Sequence, residues 1–361
     1  MRIGVDATSV LDERSGVEGH VFAAVEALAQ APDDEVVAFV RRQVPTRWRH
    51  GPDRLRTVCL STDSQAAATQ LHLPRAIRQV GVDVLYCPAK PPPARPGVPV
   101  LDAIHDIVPW SRPETMGRGA GAWYRTFDRV AVQRGAHIST GTRAVAEELG
   151  TVLPVSDRVH VVGGAMPPWL EAAARAGHHE RPAVAGDGPY VLSICRIEPR
   201  KDLGTLLDAW ELLGSARGAT RLLLVGKVGW KVDAVVDRAR RTAGVELCGW
   251  VDEADLPGLY AHAEAFVSPS LEEGFGLPVL EAMAFGAPVV ASAIPPHLEV
   301  GQGGIDSFSP GDPAELAEHL LGLLGDERRR RRLTGAGRRR AACFSGAALG
   351  RRLRRALEAA A

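Results

Sequence analysis

The sequence predicts an α/β protein of two Rossmann-like domains, each a doubly wound parallel sheet, facing each other across a cleft. Three observations carry this. A chain of 361 residues is long for one hydrophobic core and suits two domains of similar size. Short apolar runs alternate with helical patterns through both halves, as in repeated βαβ units. Between the halves lies AAARAGHHERPAVAGDG, from Ala172 to Gly188, polar, rich in Ala and Gly and without periodicity, which reads as a linker.

In the first half the strand patterns are Arg2–Asp6, Glu35–Val40, Arg56–Leu60, Asp83–Tyr86, Pro99–Ile104, His137–Thr140 and Arg158–Val162. Helical patterns cover Val17–Gln30, Ala120–Arg134 and Ala144–Leu149. The second half repeats the rhythm, with strands Tyr190–Ile194, Arg221–Val225, Val245–Leu247, Ala265–Val267 and Pro288–Ala291. Its helices read Leu203–Leu213, Lys231–Arg241, Glu253–Ala261, Leu277–Phe285 and Ala314–Leu324. The β-branched runs are continuous rather than alternating, as in strands buried on both faces. The domains are therefore placed at residues 1–172 and 189–343, joined by 173–188, with a basic helix at 344–361.

Hydrophobic residues make up 45% of the chain and charged ones 24%, which fits an ordinary globular protein. It begins MRIGVDATSV, already a strand, and no apolar run is long enough to span a bilayer, so neither secretion nor a membrane span is expected. The five cysteines are scattered, odd in number and without a C-x-x-C pair, which fits a reducing cytosol and supports neither a disulfide framework nor zinc. Net charge is zero, but from Arg328 onward there are 12 arginines against one acid, Glu358. Two readings suit that tail: a solvated arginine-rich helix, or a surface for peripheral contact with an anionic membrane or a phosphate-bearing acceptor.

The chemistry concentrates in SLEEGFGLPVLEAMAFGAPVVAS, Ser270 to Ser292, which follows a strand. Gly274 and Gly276 let the backbone approach a ligand, Pro278 sits where its missing N–H is harmless, and the helix N-terminus from Leu277 favours a phosphate. Glu273 in the loop and Glu281 one turn into the helix can each accept hydrogen bonds from a sugar diol. Alone, the two acids better suit a dipole partner and an exposed helical acid. Upstream, YVLSICRIEPRKDLGTLLDAW ends a strand at Ile194 and then places Arg196 and Lys201 where two cations reach a diphosphate.

Together these segments resemble the C-terminal domain of the family-4 retaining glycosyltransferases of GT-B architecture. The family's E-x7-E signature is met by Glu273 and Glu281, and its phosphate-binding segment by Arg196, Pro199 and Lys201. LLLVGKVGW and GWVDEADLPGLYAHAEAFVSPS resemble its intervening strands and loops. The likeness is close from Tyr190 to Leu324 and looser before the linker. It implies that Glu281 binds the donor ribose and Glu273 the donor sugar near its anomeric carbon. The backbone of Gly274, Phe275, Gly276 and Leu277 would line sugar and phosphate, and Arg196 and Lys201 would neutralise the departing diphosphate. In the first half it implies donor-side roles for Gly16 in TSVLDERSGVEGH, for His105 and Asp106 in VLDAIHDIVPW, and for Arg143 in STGTRAVAEELG. Gly16 equally suits a plain tight turn.

The implied reaction moves a hexose or deoxyhexose from a UDP-, GDP- or dTDP-linked donor to an unidentified acceptor hydroxyl, with retention and without a metal or other cofactor. A sugar phosphorylase, a nucleotide-sugar epimerase and a non-catalytic nucleotide-sugar-binding subunit are the competing readings. One departure stands out: the chain reads VVGGAMPPWL where many relatives carry Asn-Gly, which removes a side chain on the acceptor side. Asp252 to Asp255 spell DEAD, but without a phosphate-loop motif they read as the start and cap of a helix, and no nucleic-acid partner is expected.

Overall fold

Buried apolar strands alternating with helices build two parallel sheets. The computed structural model describes residues 1–10, 16–49, 51–117, 119–155 and 157–361. These form two compact units, Met1–Pro168 with Phe344–Ala361, and Trp169–Cys343.

The first unit contains β1 (Arg2–Asp6), β2 (Glu35–Arg41), β3 (Leu55–Leu60), β4 (Val84–Cys87), β5 (Val100–Ala103), β6 (His137–Thr140) and β7 (Val159–Val161). All pair in parallel, in the order β3-β2-β1-β4-β5-β6-β7, with Ile3 of β1 opposite Val36 on one side and Val84 on the other. Central β4 is buried along its whole length, whereas edge strands β3 and β7 are partly exposed. Its helices are α1 (Gly16–Ala29), α2 (Gln65–Ala67), α3 (Leu73–Val80), α4 (Val108–Ser111), α5 (Ala120–Gln133) and α6 (Arg143–Val152). A π-helical stretch, Ala68–His72, joins α2 to α3, and the Ser64 hydroxyl accepts from the Ala67 N–H to cap the start.

The second unit opens with α7 (Pro168–Ala176), then β8 (Tyr190–Ile194), α8 (Leu203–Leu213), β9 (Arg221–Val225), α9 (Asp233–Arg241), β10 (Val245–Gly249), α10 (Leu256–Ala261), β11 (Ala265–Ser268), α11 (Leu277–Phe285), β12 (Val289–Ser292), α12 (Pro295–Gly301), β13 (Asp306–Phe308), α13 (Pro313–Gly325) and α14 (Glu327–Ala341). The strands again pair in parallel, in the order β10-β9-β8-β11-β12-β13. Trp210, Leu206, Leu224, Val267, Val290 and Leu320 belong to its core. Strand order therefore reverses beside β1 in one sheet and beside β8 in the other. Such reversals open a crevice at the carboxyl ends of the flanking strands, where ligands of open α/β sheets bind.

Residues 173–188, expected as a linker, belong instead to the second unit. Helix α7 runs into them, the His179 ring meets Phe285 edge-on at 5.1 Å, and His262 Nε2 donates to the His179 carbonyl at 2.9 Å. Hydropathy does not register such contacts, so a polar stretch reads as free when it is packed. The basic tail forms two helices, α14 and then α15 (Gly346–Ala360), which returns to the first unit. Leu349, Leu353, Ala356 and Leu357 of α15 are buried, and the helix packs on α1. Arg354 pairs at 2.7 Å with Asp34, which also holds the N-terminal ammonium at 3.2 Å. In α14, Arg329 pairs with Asp306 at 2.6 Å and Arg330 with Glu264 at 3.0 Å. The apolar face of α15 is thus covered, leaving Arg351, Arg352 and Arg355 exposed together with Glu358, which pairs with Arg354 at 3.5 Å. Among the described residues no helix is long and apolar enough to cross a membrane.

Candidate active site

In the second unit the site grows from the loops after β8, β9 and β11. Beyond Ile194 the chain is stapled to the loop after β9, because Ile197 N–H donates to the Lys227 carbonyl and Gly229 N–H to that of Ile197, both at 2.9 Å. Gly226 makes this approach feasible. Its φ is +138°, and a Cβ there would fall 1.9 Å from the Cys195 carbonyl oxygen. The staple places the Arg196 guanidinium 5.1 Å from the centre of the Trp230 ring and 3.3 Å from Glu198, with more than half of its side chain exposed. The next loop holds a second such pair, Lys227 over Trp250 at 4.9 Å.

The turn Pro199–Lys201 then carries two cations onto Glu273. The Lys201 ammonium, only 8% exposed, pairs with Glu273 Oε1, and Arg200 Nη1 lies 3.4 Å from Oε2. The Ser270 hydroxyl donates to Oε1 at 2.8 Å, and Arg200 also donates to the Glu272 carbonyl at 3.1 Å. Burial alone would raise the Glu273 carboxyl, but the charges of Lys201 and Arg200, with the hydrogen bond from Lys201, outweigh it and hold the group at about 2. Sequence reading gave Lys201 to the diphosphate and Glu273 to the sugar as separate parts. The structure pairs them directly.

Gly276 sits at φ +87° as the N-terminal residue flanking α11, with no side chain capping the helix and Pro278 lacking an N–H. The positive end of α11 therefore faces the loop of Gly274 and Phe275. Behind the turn, fully buried His297 donates from Nδ1 to the Ser292 carbonyl at 3.0 Å. A carbonyl only accepts, so Nε2 is the acceptor, and the Ser268 hydroxyl donates to it at 3.4 Å. A Cβ on Gly276 would stand 3.0 Å from the His297 ring. Leu277 begins the helix, and Glu281 follows one turn later, half-buried rather than exposed. Tyr260 donates to Glu281 Oε2 at 2.7 Å. Burial pushes the Glu281 carboxyl up to about 7, against the opposing pull of that hydrogen bond.

In the first unit, Gly16 opens α1, and residues 11–15 of its loop lie outside the described residues. His105, after β5, donates from Nε2 to the Pro88 carbonyl at 2.7 Å and meets the edge of His20 at 4.9 Å. Burial lowers His105 from the ordinary imidazole value, so it is neutral at pH 7. Asp106 accepts from the Val108 N–H at 3.1 Å and so starts α4. Arg143 is exposed at the first residue of α6. Beside β1, Asp6 is buried, with Oδ1 taking both the N–H and the hydroxyl of Thr8 at 3.0 and 2.6 Å. The expected capping of α10 by an aspartate side chain is absent: Asp255 occupies that position without a side-chain bond to the helix.

Sequence reasoning missed Arg200, Ser270, Tyr260 and His297. Arg200 had a visible signal, since it adjoins Lys201 in a turn that aims both side chains at one acid. No spacing links Tyr260 to Glu281, or His297 to the loop it braces. Among the described residues no group of three or more His, Cys, Asp or Glu is placed to hold a metal ion.

Residues 188–326 match the family described as glycosyl transferases group 1. O-antigen chain mannosyltransferase B of Escherichia coli is 41% identical over 161 residues, which are 43% of this chain and 42% of that protein, so the match spans less than half the length of either. The structure of Anabaena HepE in complex with UDP and glucose superposes with a TM-score of 0.73 at 17% identity, covering 99% of this chain and 100% of that one. Sucrose-phosphate synthase of Thermosynechococcus elongatus gives a TM-score of 0.74 at 22% identity over the full length of both. Residues 188–326 thus match the glycosyl transferases group 1 family, and they lie in the second of two parallel-sheet α/β units of the GT-B fold.

Proposed function

We propose that the protein is a glycosyltransferase that moves a hexose or deoxyhexose from a nucleoside-diphosphate sugar to an acceptor hydroxyl, with retention of anomeric configuration. The observation that carries this reading is the meeting of Lys201, Arg200 and Glu273 with the open N-terminus of α11 at the β8/β11 switch point. Mannosyl transfer in a relative's name and UDP in a structural neighbour point the same way.

In this reading the diphosphate lies across Lys201, Arg196 and the α11 terminus, and Glu281 grips the ribose. As the anomeric C–O bond breaks, charge grows on the leaving phosphate, and these groups stabilise it where it forms. Glu273 is held at about 2 by its two cations, so it accepts hydrogen bonds from sugar hydroxyls but is too weak a base to take a proton from the acceptor. That leaves the departing phosphate as the base that takes the acceptor's proton, which places attack on the face the diphosphate leaves. The acceptor belongs among polysaccharides, lipid-linked glycans and natural products. The reaction is proposed to need no metal.

The test is incubation with UDP-, GDP- and dTDP-sugars and a panel of acceptors, with and without chelator. Expected is acceptor-dependent release of a nucleoside diphosphate and a product with the donor's anomeric configuration by NMR. Phosphate-dependent or acceptor-free turnover, or an inverted product, would contradict the reading.

A further inference from the structure

We infer that Tyr260 is a positioning residue for donor binding: its phenol fixes Glu281 so that the carboxylate meets the ribose diol of the nucleotide. This rests on the donor reading above and adds a residue to it. Tyr260 is fully buried on α10, and a buried phenolic O–H needs an acceptor. It finds one in Glu281 Oε2 at 2.7 Å. The ring cannot swing away. It stacks on Phe285 with centroids 5.8 Å apart and planes 3° from parallel, and meets Phe266 at 5.5 Å. Phe285 is four residues beyond Glu281, so ring and carboxylate share one face of α11 and the aromatic stack sets the height of the hydroxyl against the acid. His179 also meets Phe285, edge-on at 5.1 Å.

The hydrogen bond takes one of the lone pairs of the carboxylate and leaves the others for two neighbouring hydroxyls. It also favours the ionised acid, the form that accepts from both. Without it, burial would act alone on a carboxyl already raised to about 7, and the protonated form would prevail at neutral pH. Several other titratable or charged groups lie on the elements around α11. Cys195 after β8 acts on Tyr260, and Lys201, Arg200, Glu273 and His297 gather at the N-terminal turn. Arg338 of α14 reaches the Phe285 carbonyl at the opposite end of the helix, on the side where His179 sits. Of these side chains, Tyr260 is the one bonded to Glu281.

The experiment measures dissociation constants for UDP, GDP and dTDP by calorimetry between pH 6 and 9, in the wild type and in Tyr260→Phe, which keeps the ring. Urea unfolding confirms that the variant is folded. Expected is about tenfold weaker binding of UDP and GDP by the variant at pH 7, with the ratio to wild type narrowing toward pH 9 but staying above one, since the unfixed carboxylate is still misplaced when ionised. dTDP lacks the 2′-hydroxyl and should show a smaller loss. Glu281→Gln, neutral at every pH, should give the weakened affinity without recovery. A pH-independent loss in Tyr260→Phe, equal for all three nucleotides, or no loss at all, would overturn the inference. A folded wild-type protein that binds none of the three would instead overturn the donor reading, and the inference with it.

Discussion

Replacing Lys201 by methionine is expected to lower turnover by on the order of a hundredfold or more, by removing a cation that the proposed function assigns to the leaving diphosphate. The same change should destabilise the second unit by about 1.5–3 kcal/mol, because it takes the nearer of two cations from a buried acid and leaves only Arg200 and Ser270 to hold it. Both effects follow from one contact. Lys201 and Glu273 are each about 10% exposed in their side chains and meet directly, with Arg200 and Ser270 completing the cluster. A double variant separates the two effects. Lys201→Met with Glu273→Gln removes both charges, so most of the stability should return while turnover stays lost. Wild-type turnover in the single variant, or a double variant as unstable as the single, would show that the pair is not coupled in this way.

Gly226→Ala is expected to destabilise the second unit by on the order of 4 kcal/mol or more, read as a lower urea midpoint. The added methyl would stand 1.9 Å from the Cys195 carbonyl oxygen, and that neighbour is backbone rather than a side chain that can rotate away. The backbone at φ +138° would also be strained for any residue with a Cβ. Relief requires parting the loops after β8 and β9, which breaks the Ile197–Lys227 bond and shifts Arg196 from Trp230. A variant with the wild-type midpoint would mean that the loops separate at little cost.

Most of the fold was legible because parallel strands covered on both faces must be apolar throughout. Tyr190–Ile194 and Arg221–Val225 were read to the residue for that reason. Gln65 to Val80, which contains Pro74, was not assigned. The structure places that proline at the second residue of α3, directly after a π-helical stretch, where its missing N–H does no harm. β13 is three residues long and too short for periodicity to mark. At the site, the acids and cations that follow strands were legible from residue type and position. Their pairing was not: Lys201 and Glu273 are 72 residues apart, and only the sheet order brings them together. Tyr260 and His297 were missed because each acts through a buried hydrogen bond, and in sequence each looks like ordinary core.

The account stands on the diphosphate being held at the β8/β11 switch point, and calorimetric titration with UDP, GDP and dTDP beside their free nucleosides tests that most directly. It predicts that at least one diphosphate binds, that its nucleoside binds on the order of a hundredfold more weakly for want of the charge-assisted contacts, and that Arg196→Met narrows the gap. Equal affinity for nucleoside and diphosphate, or a gap untouched by Arg196→Met and by Lys201→Met with Glu273→Gln, would contradict it.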